Sequence, residues 1–267
     1  MTRIIAIANQ KGGVGKTTTC VNLAASLAAM QQRVLLVDLD PQGNATMSSG
    51  IDKHEVERSV YDVLVHRAPI HLVTRPAGEC GYDVLPANGD LTAAEVELLN
   101  VEHKERRLRT SLAEVSGQYD YVLIDCPPSL NMLTINALAA AEGVIIAMQC
   151  EYFALEGLAA LVRTIEGVTE SINGKLQIEG ILRTMYDPRN SLTNDVSAQL
   201  RAHFGDKVYR TVVPRNVRLA EAPSHGVPAL YYDKNSRGSK AYMALAGEIM
   251  RREEQQAAQQ PDNAAET

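Results

Sequence analysis

An apolar run, Ile4–Ala8, gives way within three residues to Lys11-Gly12-Gly13-Val14-Gly15-Lys16-Thr17-Thr18, and an alanine-rich run with helical periodicity, Thr17–Met30, follows at once. A strand that passes through glycines into a helix makes a site for an anion. Glycines let successive N–H groups turn toward one point. The helix N-terminus adds positive potential there. The residue types specify phosphate: Lys16 is a mobile cation for β- and γ-phosphates, and the Thr17 hydroxyl can ligate Mg²⁺. The run ends as a standard phosphate loop does, in Gly15-Lys16-Thr17. The usual first glycine is replaced by Gln10, however, and a second lysine, Lys11, stands near the start of the loop.

The rest of the chain repeats the strand–helix alternation. Strand-like runs fall at Arg33–Asp38, Tyr121–Asp125, Val144–Met148, Ile178–Thr184 and Val208–Val213, with a further short strand at Tyr82–Pro86. Helical patterns lie between most of them, at Leu91–Leu99, Glu102–Val115, Asn131–Ala140, Ala154–Ile172, Asn194–His203 and Ser239–Arg252. This order predicts an α/β fold: a mostly parallel twisted sheet with helices on both faces, a three-layer sandwich. Aromatic residues are scarce, with no Trp and two Phe, so the core must be aliphatic, as in parallel sheets buried on both faces. Residues 1–252 are expected to form a single domain, with Gly50–Asp90 its least regular part. Residues 253–267, rich in Gln, Ala and acids, are expected to be a disordered tail.

Two strand ends carry carboxylates. Val34–Leu39 leads through Asp38 to Asp40 and then Pro41-Gln42-Gly43, and Tyr121–Asp125 leads to Cys126-Pro127-Pro128. In a parallel sheet these ends share an edge with the phosphate loop. Asp125 is then placed to hold Mg²⁺, through water. Asp38 and Asp40, two apart on an extended strand, are expected to face one side, one toward the metal shell and the other toward a water near the γ-phosphate.

The net charge of −6 argues by itself against a polyanion partner, but it averages over an asymmetric chain. Between Gly180 and Arg252 twelve basic side chains outnumber six acidic ones, so this segment carries +6 and the remainder −12. A local anion-binding face is compatible with the acidic total. Cys20, Cys80, Cys126 and Cys150 lack metal-type CxxC spacing and read as reduced thiols of a cytoplasmic protein. The apolar runs are too short to span a bilayer, and no signal peptide is read at the N-terminus.

The loop from Lys11 to Thr18, the Asp38-Leu39-Asp40-Pro41-Gln42-Gly43-Asn44 stretch and Asp125-Cys126-Pro127-Pro128 resemble the deviant Walker motifs of the ParA/Soj family of partitioning ATPases. Pro214-Arg215-Asn216-Val217-Arg218-Leu219-Ala220-Glu221-Ala222-Pro223-Ser224-His225-Gly226 is similar to the family's C-terminal signature, and the resemblance spans about residues 2–252. It implies an ATP- and Mg²⁺-dependent enzyme that forms a sandwich homodimer, in which Lys11 reaches the partner's phosphates. Gly12, Gly13, Val14 and Gly15 would wrap the nucleotide, Lys16 and Thr17 would serve the phosphates and metal, and Thr18 the α-phosphate. Asp40 would activate water, Asp125 would be the Walker B residue, and adenine would lie near Pro214 and Asn216. Arg189 and Arg218 match positions used for sequence-independent binding of double-stranded DNA. The partner implied is a ParB-type centromere-binding protein, and the protein would be associated with the nucleoid.

Related families compete for the same loop. A MinD-type positioning ATPase on a membrane needs an amphipathic C-terminal helix, and Glu253–Pro261 contains no large apolar residue. An iron–sulfur reductase of the nitrogenase type needs two cysteines presented at a dimer axis, and Cys126 and Cys150 instead read as core residues at strand ends. A non-catalytic nucleotide switch is disfavoured by the joint presence of Lys16, Asp40 and Asp125.

Overall fold

The computed structural model describes residues 2–259. In its first strand, β1 (Arg3–Ala8), Ile5 and Ile7 enter one hydrophobic core while Ala6 and Ala8 enter another on the opposite face. The run Ile4–Ala8, apolar at every position, therefore has to lie between two helical layers. β2 (Val34–Asp38) divides in the same way, with Val34 and Leu36 on one face and Leu35 and Val37 on the other. The remaining strands are β3 (Arg75–Pro76), β4 (Asp83–Leu85), β5 (Tyr121–Asp125), β6 (Gly143–Gln149), β7 (Gln177–Tyr186) and β8 (Val208–Pro214). They form one sheet in the order β3-β4-β2-β5-β1-β6-β7-β8, and only β3 runs antiparallel to its neighbour. This is the mostly parallel, helix-covered α/β sheet that the alternation predicted.

Helix α1 (Lys16–Ala29) buries Cys20, Leu23, Ala24 and Leu27, one stripe at helical spacing, in the same core as Tyr242, Leu245, Ala246 and Ile249 of the last helix. Each leucine or isoleucine so buried contributes about 1.5–3 kcal/mol. Thr19 and Tyr242 link the two helices through a buried hydroxyl–hydroxyl hydrogen bond of 3.1 Å. The other face is covered by the helices Met132–Ala140 and Ala154–Ser171, among others. Between β2 and β5 the irregular segment forms short helices, Val60–Leu64 and Ile70–Val73, with β3 and β4.

The last helix, Arg237–Gln259, extends beyond the expected domain end at residue 252. Its added turns are tethered by Glu253, which accepts a hydrogen bond from the Tyr121 hydroxyl and pairs with Arg3 at 3.6 Å. Composition predicted a free tail from residue 253, and these two contacts explain why the helix continues; residues 260–267 lie outside the described residues. Among the described residues no helix is long and apolar enough to cross a membrane.

The β7–β8 edge depends on a close approach. A Cβ at Gly180 would meet the buried Tyr209 ring at 2.4 Å. Gly180→Ala is therefore expected to cost about 1–3 kcal/mol of stability. Urea denaturation checks this, and an unchanged midpoint would mean that the ring moves aside freely.

Candidate active site

The phosphate loop leaves the carboxyl end of β1, the strand flanked by β5 and β6 at the middle of the sheet. Gly13 and Gly15 have φ of 73° and 88°, a left-handed conformation costly for any residue with a Cβ. Gly15 is also the N-cap of α1. Apart from Val14, which closes the turn over Gly12–Gly13, none of the N–H groups from Gly12 to Thr18 donates to an acceptor among the described residues. A row of unpaired donors at a helix N-terminus is suited to phosphate oxygens. Two contacts position the loop: Asn9 donates to the Ala147 carbonyl of β6 at 2.7 Å, and Thr184 of β7 donates to the Val14 carbonyl at 2.7 Å. Neither contact was legible in the sequence, because each joins the loop region to a strand distant along the chain.

The two lysines occupy different environments. Lys16 is 7% exposed and its ammonium donates to the Lys11 carbonyl at 3.3 Å. Burial pushes its pKa down, while Asp125, Cys126 and Asp40 oppose that shift. Lys11 is exposed and its ammonium pairs with Glu151, just beyond the end of β6. Lys16 therefore stands inside the loop and Lys11 outside it.

The carboxylates separate as well. Asp38 and Asp125 are register partners on adjacent strands, and both are fully buried. Asp38 and Asp40 differ in burial and in partners. β2 ends at Asp38, whose oxygens accept from Thr46 N–H and hydroxyl, both at 2.8 Å, and from Asp40 N–H at 3.1 Å. Its carboxylate thereby fastens the start of α2 (Asn44–Ser48). Gly43, with φ of 61°, makes the turn into α2. Asp40 is half-buried at the surface and accepts from Gln42 N–H at 3.0 Å.

Asp125 differs in that its buried oxygens have no hydrogen-bond partner of normal geometry among the described residues, the neighbouring Thr17 hydroxyl only partly offsetting the burial. A buried carboxylate left this way is costly unless a cation serves it. The residues present fit Mg²⁺: Asp125, the neighbouring Thr17 hydroxyl and the nucleotide's phosphate oxygens are all hard oxygen donors. No cluster of three or more His, Cys, Asp or Glu that could hold a metal without the nucleotide occurs among the described residues. A cavity of about 650 Å³ opens beside these groups, lined by Thr17, Thr18, Asn22, Asn44, His54 and Ser224 among others. Pro214 lies beside Tyr186 at the carboxyl ends of β8 and β7, on the same edge. Asn216 caps the next helix by accepting from Arg218 N–H at 3.0 Å.

Of the twelve basic side chains counted above, Arg183 is fully buried and hydrogen-bonds to Ser197 and to the Tyr209 and Arg210 carbonyls, so it leaves the surface tally. Arg189 is exposed and paired with Asp187 at 2.8 Å, which holds that carboxyl down at about 2. Arg218 pairs with Glu221 at 2.7 Å and Asp233 at 3.5 Å. Arg215, Lys234, Arg237 and Lys240 are exposed and have no ion-pair partner among the described residues. A groove of about 1220 Å³ at the amino ends of β7 and β8, far along the strands from the nucleotide edge, is lined by Lys207, Arg210 and Arg251. Cys126 and Cys150 are buried, and burial pushes the Cys150 thiol up to about 11.

A family described as an AAA domain matches residues 2–178. The chain is 53% identical over 253 residues to the chromosome partitioning protein ParA of Caulobacter vibrioides, covering 94% of this chain and 95% of that one. It is 53% identical over 249 residues to the sporulation initiation inhibitor protein Soj of Bacillus subtilis, covering 93% and 98%. The chain belongs to the ParA/Soj family of partitioning ATPases. A solved structure called cobyrinic acid a,c-diamide synthase from Mycobacterium smegmatis, with bound ADP and magnesium, superposes with a TM-score of 0.83 at 38% identity, covering 95% of this chain and 96% of that one. As in that fold, this family member sets a phosphate loop at the carboxyl edge of a parallel sheet.

The paired aspartates give a pH dependence. Burial raises Asp38 to about 6 against its hydrogen bonds from Thr46 and Asp40, and burial, followed by the charge of Asp38, raises Asp125 well above the ordinary range. Folded-state values above unfolded ones mean that the folded chain binds more protons. The stabilisation is fully present below the ordinary 3.8; the Asp38 share is lost as pH rises through about 6, and the Asp125 share as pH rises through its own raised value. Asp125→Asn should flatten this fall in stability with pH in nucleotide-free protein. Melting in chelator across acid to neutral pH measures it, and an unaltered slope would remove Asp125 from the titrating pair.

Proposed function

We propose that this chain is a chromosome-partitioning ATPase that binds ATP, closes into a sandwich homodimer and holds duplex DNA of any sequence until hydrolysis releases it. The observation that carries this reading is the segregation of the two lysines, Lys16 buried within the loop and Lys11 exposed at its mouth. Lys16 is suited to the phosphates of its own nucleotide, and Lys11 to those of a second subunit. A cation supplied across an interface to the γ-phosphate makes dimerisation favour ATP over ADP. The names of the relatives, ParA and Soj, support a chromosomal role.

In this reading Gly12 to Thr18 bind the phosphates through the unpaired N–H row, and Pro214 and Asn216 flank the adenine. Thr17 and Asp125 would hold Mg²⁺, Asp125 through water, and the metal would neutralise charge across the β- and γ-phosphates. Asp40, surface-accessible near that edge, orients the attacking water. A ParB-type protein stimulates hydrolysis. The DNA backbone is met by basic residues of the C-terminal third, including Arg189 and Arg218, which exchange their carboxylate partners for phosphate. The protein then works in the cytoplasm on the nucleoid.

Lys11→Ala should retain ATP but remain monomeric with a slowly hydrolysed analogue, as read by light scattering. A normal dimer would exclude the cross-subunit lysine. Arg218→Glu should weaken ATP-dependent DNA retention at least about tenfold while sparing ATP binding and dimerisation, and wild-type retention should fall steeply with salt. Equal DNA binding with ADP and ATP, or normal binding by the variant, would overturn the DNA-carrier reading.

A further inference from the structure

We propose that Thr184 is a positioning residue for the nucleotide: it sets the orientation of the peptide group at the apex of the phosphate loop. This rests on the nucleotide-binding reading above.

Thr184 lies near the end of β7, paired in register with Gln149 of β6, and is 2% exposed. Its hydroxyl donates to the Val14 carbonyl at 2.7 Å, a buried hydrogen bond between residues 170 apart in sequence. The carbonyl of Val14 and the N–H of Gly15 belong to one planar trans peptide, so they point in opposite directions. Holding the carbonyl on the β7 side turns the Gly15 N–H away from the sheet, among the unpaired donors of the loop. The other half of the side chain closes the same joint. A Cβ at Gly15 would stand 3.8 Å from the Thr184 Cβ and Cγ2, so the threonine methyl backs the glycine where φ is 88°. A loop held by glycines alone would sample several orientations of this peptide and would have to be ordered by each incoming nucleotide. The threonine supplies that order beforehand from a rigid strand. Immediately after it Met185 adopts φ of 49°, a strained conformation for a side-chain-bearing residue, where the register of β7 against β8 shifts before Tyr186 pairs with Pro214.

Two substitutions separate the hydroxyl from the shape. Thr184→Val keeps the branched outline and removes the donor, and Thr184→Ser keeps the donor. Ser197→Ala is the control, because Ser197 partners Arg183, the next residue along β7, without touching the loop. Each variant is titrated with ADP and with a slowly hydrolysed ATP analogue in the presence of Mg²⁺. Steady-state hydrolysis is followed in parallel. Thr184→Val should bind both nucleotides about tenfold more weakly. KM for ATP should rise by a similar factor, with kcat within about twofold. Thr184→Ser should remain within about twofold of wild type throughout. Ser197→Ala should lower the melting temperature while leaving nucleotide affinity unchanged. Wild-type affinity in Thr184→Val would overturn the proposal, as would an equal loss in Ser197→Ala. If wild type binds no nucleotide, the nucleotide-binding reading itself fails and the assignment falls with it; wild-type binding with an unaffected Thr184→Val refutes the positioning role alone.

Discussion

Three ionisable groups, Lys16, Asp38 and Asp125, are buried together at the carboxyl edge of a largely aliphatic sheet, and much of the surrounding structure serves to make that burial tolerable. An isolated charge in such a place costs several kcal/mol. Each is met differently. Asp38 is satisfied by Thr46 and the Asp40 backbone, which fixes the start of α2 and the Asp40–Gly43 turn. Lys16 finds the Lys11 carbonyl and the field of Asp125. Asp125 alone has no hydrogen-bond partner of normal geometry among the described residues, and it borders the loop most of whose N–H groups are also unpaired. The deficit of positive charge at the carboxylate and the surplus of donors at the loop are complementary to a single ligand, a metal-bound nucleotide.

The loop depends on strands far from it in sequence. Asn9 leans on β6 and Val14 on β7, so its geometry is set by three neighbouring strands rather than by its glycines alone. Outside it, Lys11 is held by Glu151 at the end of β6. The exposed pair contributes little to stability in water. Breaking it to meet a partner's phosphate is therefore inexpensive, which suits a contact that forms and dissolves with each cycle.

The surface charge follows a similar economy. Arg189 and Arg218 each rest against a carboxylate, whereas Arg215, Lys234, Arg237 and Lys240 are unpaired among the described residues. A phosphate backbone would compete with exposed pairs whose hold is weak. The acidic remainder of the chain lowers the background attraction, so binding depends on bringing several basic residues together at once.

The sequence determined the layers and the chemical identity of the site. Runs apolar at every position can only be strands covered on both faces, and the Lys11–Thr18 stretch between a strand and a helix can hardly be anything but a phosphate loop, because local spacing dictates both. Asp125 was legible as a strand-end carboxylate for the same reason. Tertiary structure decided what each polar group touches. It fastened Asp38 to Thr46 and left Asp40 half-buried in the turn that leads through Gly43 into α2. It took Arg183 out of the basic surface, extended the last helix past residue 252 through Glu253, and brought Thr184 to Val14. These contacts join residues separated by many positions and depend on strand order and register, which periodicity along one chain does not encode.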